Sequence, residues 1–190
     1  MRKGWQQYAL SNGVGVRKID PTIAPVSTAL GVLGMPGLTG YAGTVYLGQP
    51  LPGQTFVVSA CTGPVGSTAG QVAKHMGARV VGIAGSAEKC DYAVKEMGFD
   101  ACVNYKEGDL AAALKAACPR GIDVYFDNVA GDTLVAVLRN LAIGARIVLC
   151  GMIEAYSMDT PPPGPWLGPI VGARATMSGL VVYDHMNRMP

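Results

Sequence analysis

Thr55-Phe56-Val57-Val58-Ser59-Ala60-Cys61-Thr62-Gly63-Pro64-Val65-Gly66 is the stretch on which the reading of the fold turns. Residues 55–60 are β-rich and bounded upstream by Pro52-Gly53. A glycine turn follows. From Pro64 to Met76, the apolar residues Val65, Ala69, Val72, Ala73 and Met76 fall on one face of a helix. Gly77 stands where a helix-ending glycine is expected. Gly63 permits a tight turn with close backbone approach, and Gly66 lets the helix pack on the sheet. A helix N-terminus with free N–H groups then faces the turn and attracts a pyrophosphate. The other reading is an ordinary strand-to-helix turn that binds nothing.

The same alternation continues outward. Arg79 to Ala84 reads as a second strand, and Ser86 caps a helix running to Met97, with Gly98 after it. Residues 101–104 form a short third strand. Asp109 can cap a helix with Leu110, Ala113, Leu114 and Ala117 on its apolar face. Residues 122–127 read as a fourth strand, Leu134, Leu138 and Leu141 mark a further helix, and residues 145–150 are a fifth strand. Strands alternating with helices imply βαβ units and right-handed crossovers. The expected fold is α/β: a Rossmann-type doubly wound parallel sheet with helices on both faces. Its ligand crevice lies at the carboxyl ends of the first and fourth strands, where the strand order reverses. Residues 27–47 are expected to form a helix interrupted at Pro36-Gly37. Thr160 to Pro165 holds four prolines in six residues and reads as loop. Residues 176–182 are expected to form a sixth strand at the sheet edge.

Composition agrees with a folded α/β domain. Of 190 residues 49% are apolar, only 15% are charged and 26 are glycine. A net charge of +2 argues against an electrostatic nucleic-acid binder. No apolar run approaches the ~18–20 residues that span a bilayer; Ala29 to Leu38 is broken by Pro36 and glycines. Met1-Arg2-Lys3 continues into Gly4-Trp5-Gln6-Gln7 without a signal peptide's apolar region. The cysteines Cys61, Cys90, Cys102, Cys118 and Cys150 are odd in number and lack a CxxC pair, so they read as reduced thiols of a cytoplasmic protein. No His, Cys or carboxylate cluster has metal-ligand spacing, and no metal is expected.

The end of the second strand selects the nucleotide. A site for NAD usually places an acid there, about 20 residues past the glycine turn, to hold the ribose 2′-hydroxyl. Here the chain reads Gly82-Ile83-Ala84-Gly85-Ser86-Ala87-Glu88-Lys89. Gly85 and Ser86 leave room and Lys89 supplies positive charge. A charge pair at 4 Å is worth about 4 kcal/mol at an effective dielectric near 20, before desolvation. NADP is therefore favoured over NAD. Glu88 is expected along the helix N-terminus, where an acid is favourable.

These residues carry a family resemblance. The chain resembles the cofactor domain of zinc-independent medium-chain dehydrogenases/reductases, in the leukotriene B4 dehydrogenase, prostaglandin reductase and alkenal double-bond reductase group. The matching stretches are Gly34-Met35-Pro36-Gly37-Leu38-Thr39-Gly40-Tyr41, Gly63 to Gly66, Ser86 to Lys89, Asn104-Tyr105-Lys106, Phe126-Asp127-Asn128-Val129-Ala130-Gly131 and Cys150-Gly151-Met152-Ile153-Glu154-Ala155-Tyr156. Gly4-Trp5-Gln6 is similar to the family's linker into this domain.

The resemblance implies site residues. Gly63, Pro64, Val65 and Gly66 would sit on the pyrophosphate, and Lys89 and Tyr105 on the 2′-phosphate. Asn128 would lie near the cofactor's ribose. Cys150, Gly151, Met152, Ile153 and Tyr156 would wrap the nicotinamide end, with Leu180, Val181 and Val182 behind it and Met35 and Thr39 approaching from the preceding helix. Family members move hydride from NADPH to the β-carbon of an enone or enal. Tyr156 would be the catalytic residue, a phenol donating to the developing oxyanion; its alternative is lining the pocket without a chemical role. A homodimer would form through the edge strand 176–182. The resemblance also implies that residues 1–26 are a linker from an N-terminal catalytic domain, that 27–190 are the NADP-binding domain, and that a C-terminal return segment is missing.

Two departures stand out. Pro64 removes one N–H from the phosphate turn, although proline suits the first helical position. Cys61 replaces a small inert residue; it reads as a packing residue, with a redox sensor as the alternative. Three rival functions stay open: a quinone reductase of the same superfamily, a non-catalytic NADPH-sensing module, and a methyltransferase on a similar sheet. A serine hydrolase would need a GxSxG elbow, which is lacking. His75 reads as a surface or helix-end residue. Pro161 to Pro163 fit a rigid loop or, alternatively, a polyproline ligand.

Overall fold

The computed structural model describes residues 6–160 and 162–188. Met1 to Trp5, including two residues of the linker-like Gly4-Trp5-Gln6, lie outside the described residues, as do Pro161, Met189 and Pro190.

The strands are β1 (Thr55–Val58), β2 (Arg79–Ala84), β3 (Ala101–Asn104), β4 (Ile122–Asp127), β5 (Leu141–Leu149) and β6 (Thr176–Gly179). They form one sheet in the order β3-β2-β1-β4-β5-β6. Every neighbouring pair is parallel. The helices are α1 (Met35–Ala42), α2 (Pro64–His75), α3 (Ala87–Lys95), α4 (Leu110–Ala117), α5 (Gly131–Leu138) and α6 (Gly168–Ala173).

Side chains alternate between the two faces of each strand, and two cores result. On one face Phe56, Val58, Val80, Val124 and Phe126 pack under Ala69 and Ala73 of α2 and Ala93 of α3. On the other, Val57, Val81, Ile83, Ile122, Tyr125 and Ile147 pack under Leu114 of α4 and Leu134, Val137 and Leu138 of α5. Both faces are covered, which is why the strands read as unbroken apolar runs. The doubly wound sheet and its reversal between β1 and β4 are as expected.

Several boundaries differ from the sequence reading. Pro36 opens a helix instead of interrupting one: a 3-10 turn spans Val26–Leu30, α1 starts at Met35, and the chain continues as a π-helical turn over Gly43–Gly48. Proline lacks an N–H and suits a first turn, where that donor has no intrahelical partner. Leu141 belongs to β5, not to the preceding helix, because it pairs with Ile122 across a register shift. The helix stops earlier because Asn140 Nδ2 donates to the Ala136 carbonyl at 3.0 Å and closes the last turn. β1 and β5 end at Val58 and Leu149, short of Ala60 and Cys150. β6 ends at Gly179, so Leu180, Val181 and Val182 are not strand; a 3-10 helix begins at Val182.

Cys61 is fully buried, and its sulfur contacts Cys102 Sγ at 3.7 Å, so it packs the interior as expected. Burial and the hydrogen bond to Cys102 push the Cys90 thiol up to about 12. The Cys61 hydrogen bond and burial push Cys102 well above the ordinary thiol range. Burial raises Cys118 and Cys150 to about 11 each.

Two outcomes follow from this packing. Leu114→Ala should cost about 2–5 kcal/mol in urea unfolding, because the side chain is fully buried and leaves a cavity. The buried neutral thiols have raised folded values, so their stabilising effect is complete below the unfolded thiol value of about 8.5. It is lost as pH rises toward about 11, through the Cys118 and Cys150 values. Urea midpoints measured between pH 8 and 11 should fall with pH, and less steeply in Cys118→Ala than in the parent.

Candidate functional site

The turn after β1 is shaped by its backbone. Ala60 takes a left-handed φ of 47°. Cys61 N donates to Ile83 O at 3.1 Å and ties the turn to β2. Gly63 N donates to Ala60 O at 3.0 Å, and Ser67 N returns to Gly63 O at 2.8 Å to start α2. Pro64 is the first residue of α2. The N–H groups of Val65 and Gly66 come next and have no backbone partner among the described residues. A Cβ on Gly66 would overlap the Ala60 carbonyl, so only glycine lets the helix sit this close to the turn.

This turn borders a cavity of about 840 Å³ at the carboxyl end of the sheet. That volume falls within the ~300–1,000 Å³ of small-molecule sites. Ser59, Ala60, Thr62 and Gly63 form the floor, with Ile83, Ala84 and Gly85 from the end of β2. One end is basic: Lys89 from α3, Tyr105 and Lys106 after β3. Lys106 Nζ lies 5.8 Å from the centre of the Tyr105 ring, in cation–π range. A Cβ on Gly85 would come within 2.9 Å of that ring. A glycine there is therefore what lets the phenol lie across the end of β2. Ser86 caps α3 through its hydroxyl, which accepts Lys89 N at 3.3 Å. Glu88 sits in the first turn of α3, as expected, and is not on the cavity wall. The acids that do line it, Asp132 and Glu154, belong to the start of α5 and the loop after β5.

The floor is held by contacts across the β1–β4 junction. Asn128 N donates to Ser59 Oγ, and Asn128 Nδ2 to Ser59 O, both at 2.8 Å. Asp127, fully buried, accepts Ser59 Oγ at 3.1 Å, Tyr125 OH at 2.8 Å and the N–H groups of Val129 and Ala130 at 2.9 Å. Its backbone carbonyl accepts Cys150 N at 2.8 Å and Gly151 N at 3.1 Å. Ile153 N donates to Asn128 O at 3.2 Å. The loop after β5 is thus bound to the end of β4.

Of the residues singled out from sequence, Gly63, Lys89, Tyr105 and Ile153 line the cavity. Pro64, Val65 and Gly66 stand at the start of α2 behind Gly63, and Asn128 lies under Ser59. Cys150, Gly151, Met152 and Tyr156 lie on the loop after β5, off the cavity wall. Tyr156 is 71% exposed, and its hydroxyl oxygen accepts Met152 N at 3.3 Å. Met35 and Thr39 stand on α1; Thr39 is buried and its hydroxyl donates to Met35 O at 2.7 Å. Leu180 and Val182 are buried and Val181 is exposed, beyond β6.

Sequence reasoning missed Ser59, Ile83, Ala84, Lys106, Leu110, Val129, Asp132, Thr133 and Glu154 as lining residues. Lys106 was within reach, as a second cation beside Tyr105. Asp132, Thr133 and Glu154 carry no local signal, because only the pairing of β4 with β1 brings them to the turn. As a whole, the cavity offers cations at one end, and the N-terminus of α2, with the free N–H groups of Val65 and Gly66, stands behind Gly63 of its floor. Both suit an extended anionic ligand. Among the described residues no group of three or more His, Cys, Asp or Glu is placed to hold a metal ion, and no helix is long and apolar enough to cross a membrane.

Residues 64–190 match the zinc-binding dehydrogenase family. The NADPH-dependent curcumin reductase of Escherichia coli (strain K12) is 45% identical over 190 residues, covering 96% of this chain and 55% of the relative. The NADP(+)-dependent 2-alkenal reductase of Nicotiana tabacum is 43% identical over 189 residues, with 98% and 55% covered. The crystal structure of CurA from Vibrio vulnificus in complex with NADPH superposes with a TM-score of 0.87 at 44% identity, covering 98% of this chain and 57% of that one. The chain spans about half the length of the curated relatives it matches. With the order of its strands, the glycine turn and these likenesses agreeing, the chain belongs to the zinc-binding dehydrogenase family, in the medium-chain dehydrogenase/reductase branch that holds the curcumin and alkenal reductases.

Proposed function

We propose that this chain is the NADPH-binding part of an oxidoreductase that reduces the C=C bond of α,β-unsaturated ketones and aldehydes. One observation carries the cofactor reading: the basic end of the cavity, where Lys89, Tyr105 and Lys106 converge, while the two lining acids, Asp132 and Glu154, come from the start of α5 and the loop after β5. A 2′-phosphate there gains two cations and a phenol, whereas a bare ribose diol finds no carboxylate to hold it. The cavity volume and the Gly66 cradle fit the group as well. The names of the relatives support the reaction class: curcumin and 2-alkenals each carry a carbonyl-conjugated double bond.

Bound reduced nicotinamide supplies the hydride; the chain's residues bind, orient and donate. Lys89 and Lys106 hold the 2′-phosphate, and the N–H groups of Val65 and Gly66 take the diphosphate at the α2 N-terminus. The Ser59–Asn128 bonds fix the floor between them. Tyr156 accepts one N–H from Met152, which leaves its own O–H available to the enolate oxygen as it forms. Residues 6–26 run largely exposed, and we assign 1–26 as the linker from a catalytic domain and 27–190 as the cofactor domain. The outer edge of β6 is the surface assigned to a homodimer, and the five free cysteines suit a reducing cytoplasm.

Calorimetric titration with NADPH and NADH tests this. Lys89→Ala should weaken NADPH by about 10- to 100-fold, the value of a charge-assisted hydrogen bond of about 1.5–3 kcal/mol, and leave NADH nearly unchanged. Equal losses for both would remove Lys89 from the 2′-phosphate. With a catalytic domain supplied, turnover of an enone in preference to a quinone is expected. Turnover of quinones alone would move the function to quinone reduction.

A further inference from the structure

Gly85 follows the last residue of β2 and lines the basic end of the cavity with Lys89, Tyr105 and Lys106. Its backbone does not call for glycine, because its φ lies outside the positive region. Its surroundings do. The three heavy atoms nearest a Cβ built there all belong to the Tyr105 side chain: Cε1 at 2.9 Å, the hydroxyl oxygen at 3.1 Å and Cζ at 3.2 Å. Carbon atoms pack at about 3.5–4.0 Å, so one of the two groups would have to yield.

Strand pairing brings the ring to this spot. Ala84 stands opposite Asn104 in the β2–β3 register, and Tyr105 N donates to Ala84 O at 3.0 Å. Asn104 closes the turn beyond: its Oδ1 accepts Lys106 N at 3.2 Å, and its Nδ2 donates to Glu107 Oε1 at 2.6 Å. The main chain at Tyr105 is tied down, whereas its side chain is on the surface, with the residue 47% exposed. A side chain at position 85 therefore displaces the ring rather than the strand. The ring also carries Lys106 Nζ, 5.8 Å from its centre. A site for NAD has its acid at the end of the second strand, about 20 residues past the glycine turn, which is where Gly85 stands. Acid and phenol compete for one volume.

We propose that Gly85 is a positioning residue for cofactor choice: by leaving the end of β2 bare, it seats the Tyr105 hydroxyl, and with it Lys106, against the 2′-phosphate. The inference rests on the NADPH reading of the cavity and deepens it. Lys89 attracts the phosphate by charge from α3, whatever stands at position 85. The phenol contributes only while no side chain takes its place. Any side chain at 85, charged or not, then weakens NADPH and spares NADH. The loss grows with side-chain size, and it requires Tyr105.

Gly85→Val is the discriminating variant, because it adds bulk without charge. Kd for NADPH and for NADH would be measured by calorimetry on the chain, on Gly85→Val, on Tyr105→Ala and on the double variant. The expected result for Gly85→Val is NADPH binding weakened about 10- to 100-fold, the worth of a hydrogen bond to a charged group, with NADH within about twofold of the parent. In the Tyr105→Ala background the same substitution should change NADPH by less than about twofold, since coupled residues do not add. An unchanged Kd(NADH)/Kd(NADPH) ratio, equal losses for both cofactors, or the full loss persisting without Tyr105 would overturn the inference. Should Gly85→Val fail to fold, Gly85→Ala decides: it asks only a small shift of the ring, and the ratio should fall about threefold, whereas an unchanged ratio overturns the inference. A parent that prefers NADPH while the Gly85 variants keep its ratio would sink this inference alone. A parent that binds NADH as tightly as NADPH would overturn the NADPH reading itself, and the inference with it.

Discussion

The joint between β1 and β4 is the constraint on which the rest of the molecule depends. In a doubly wound sheet the chain reverses direction of travel here, and the two strands diverge above the joint to leave a crevice. Ser59 and the Asp127-Asn128 pair stitch that divergence together through three hydrogen bonds, and Asp127 Oδ1 also accepts the N–H groups of Val129 and Ala130 just before α5. Each bond to a charged group is worth about 1.5–3 kcal/mol, while an uncompensated buried carboxylate would cost more than any one of them returns. These bonds, with those from Cys150 N and Gly151 N to the Asp127 carbonyl, tie the end of β4 both to the end of β1 and to the loop after β5.

Chemistry is laid out along the crevice by the order of the strands. β3 and β2 bring Tyr105, Lys106 and Lys89 to one end. The N-terminus of α2 occupies the middle. β4 and β5 bring Asp132, Ile153 and Glu154 to the other. Basic groups thus gather at one end of the crevice and acidic groups at the other. The polarity follows from sheet order alone, since each loop at the carboxyl edge is placed by the strand that precedes it.

Much of the fold was legible because its signals are local. The β2, β3 and β4 ranges are visible as apolar runs, and the glycines and caps at Ser86 and Asp109 mark the helices that follow. Leu141 misled because its spacing from Leu138 continues a helical face, while the bond from Asn140 that ends the helix is a side-chain event. Pro36 misled because a proline inside a long apolar pattern reads equally as a break or a beginning. In the site, Gly63, Lys89 and Tyr105 sit on motifs, and the structure brings them to one cavity. Asp132, Thr133 and Glu154 are distant in sequence from the turn and carry no spacing rule. Their nearness to it is a product of strand pairing, which no local pattern encodes.

A crystal structure of the chain grown with NADP+ would test the central claim most directly. The account places the 2′-phosphate within about 3 Å of Lys89 Nζ, beside Tyr105 and Lys106, with the diphosphate on the N–H groups of Val65 and Gly66. Density for the nucleotide at any other surface, or in this cavity with its ribose phosphate turned toward Asp132 and Glu154, would contradict it.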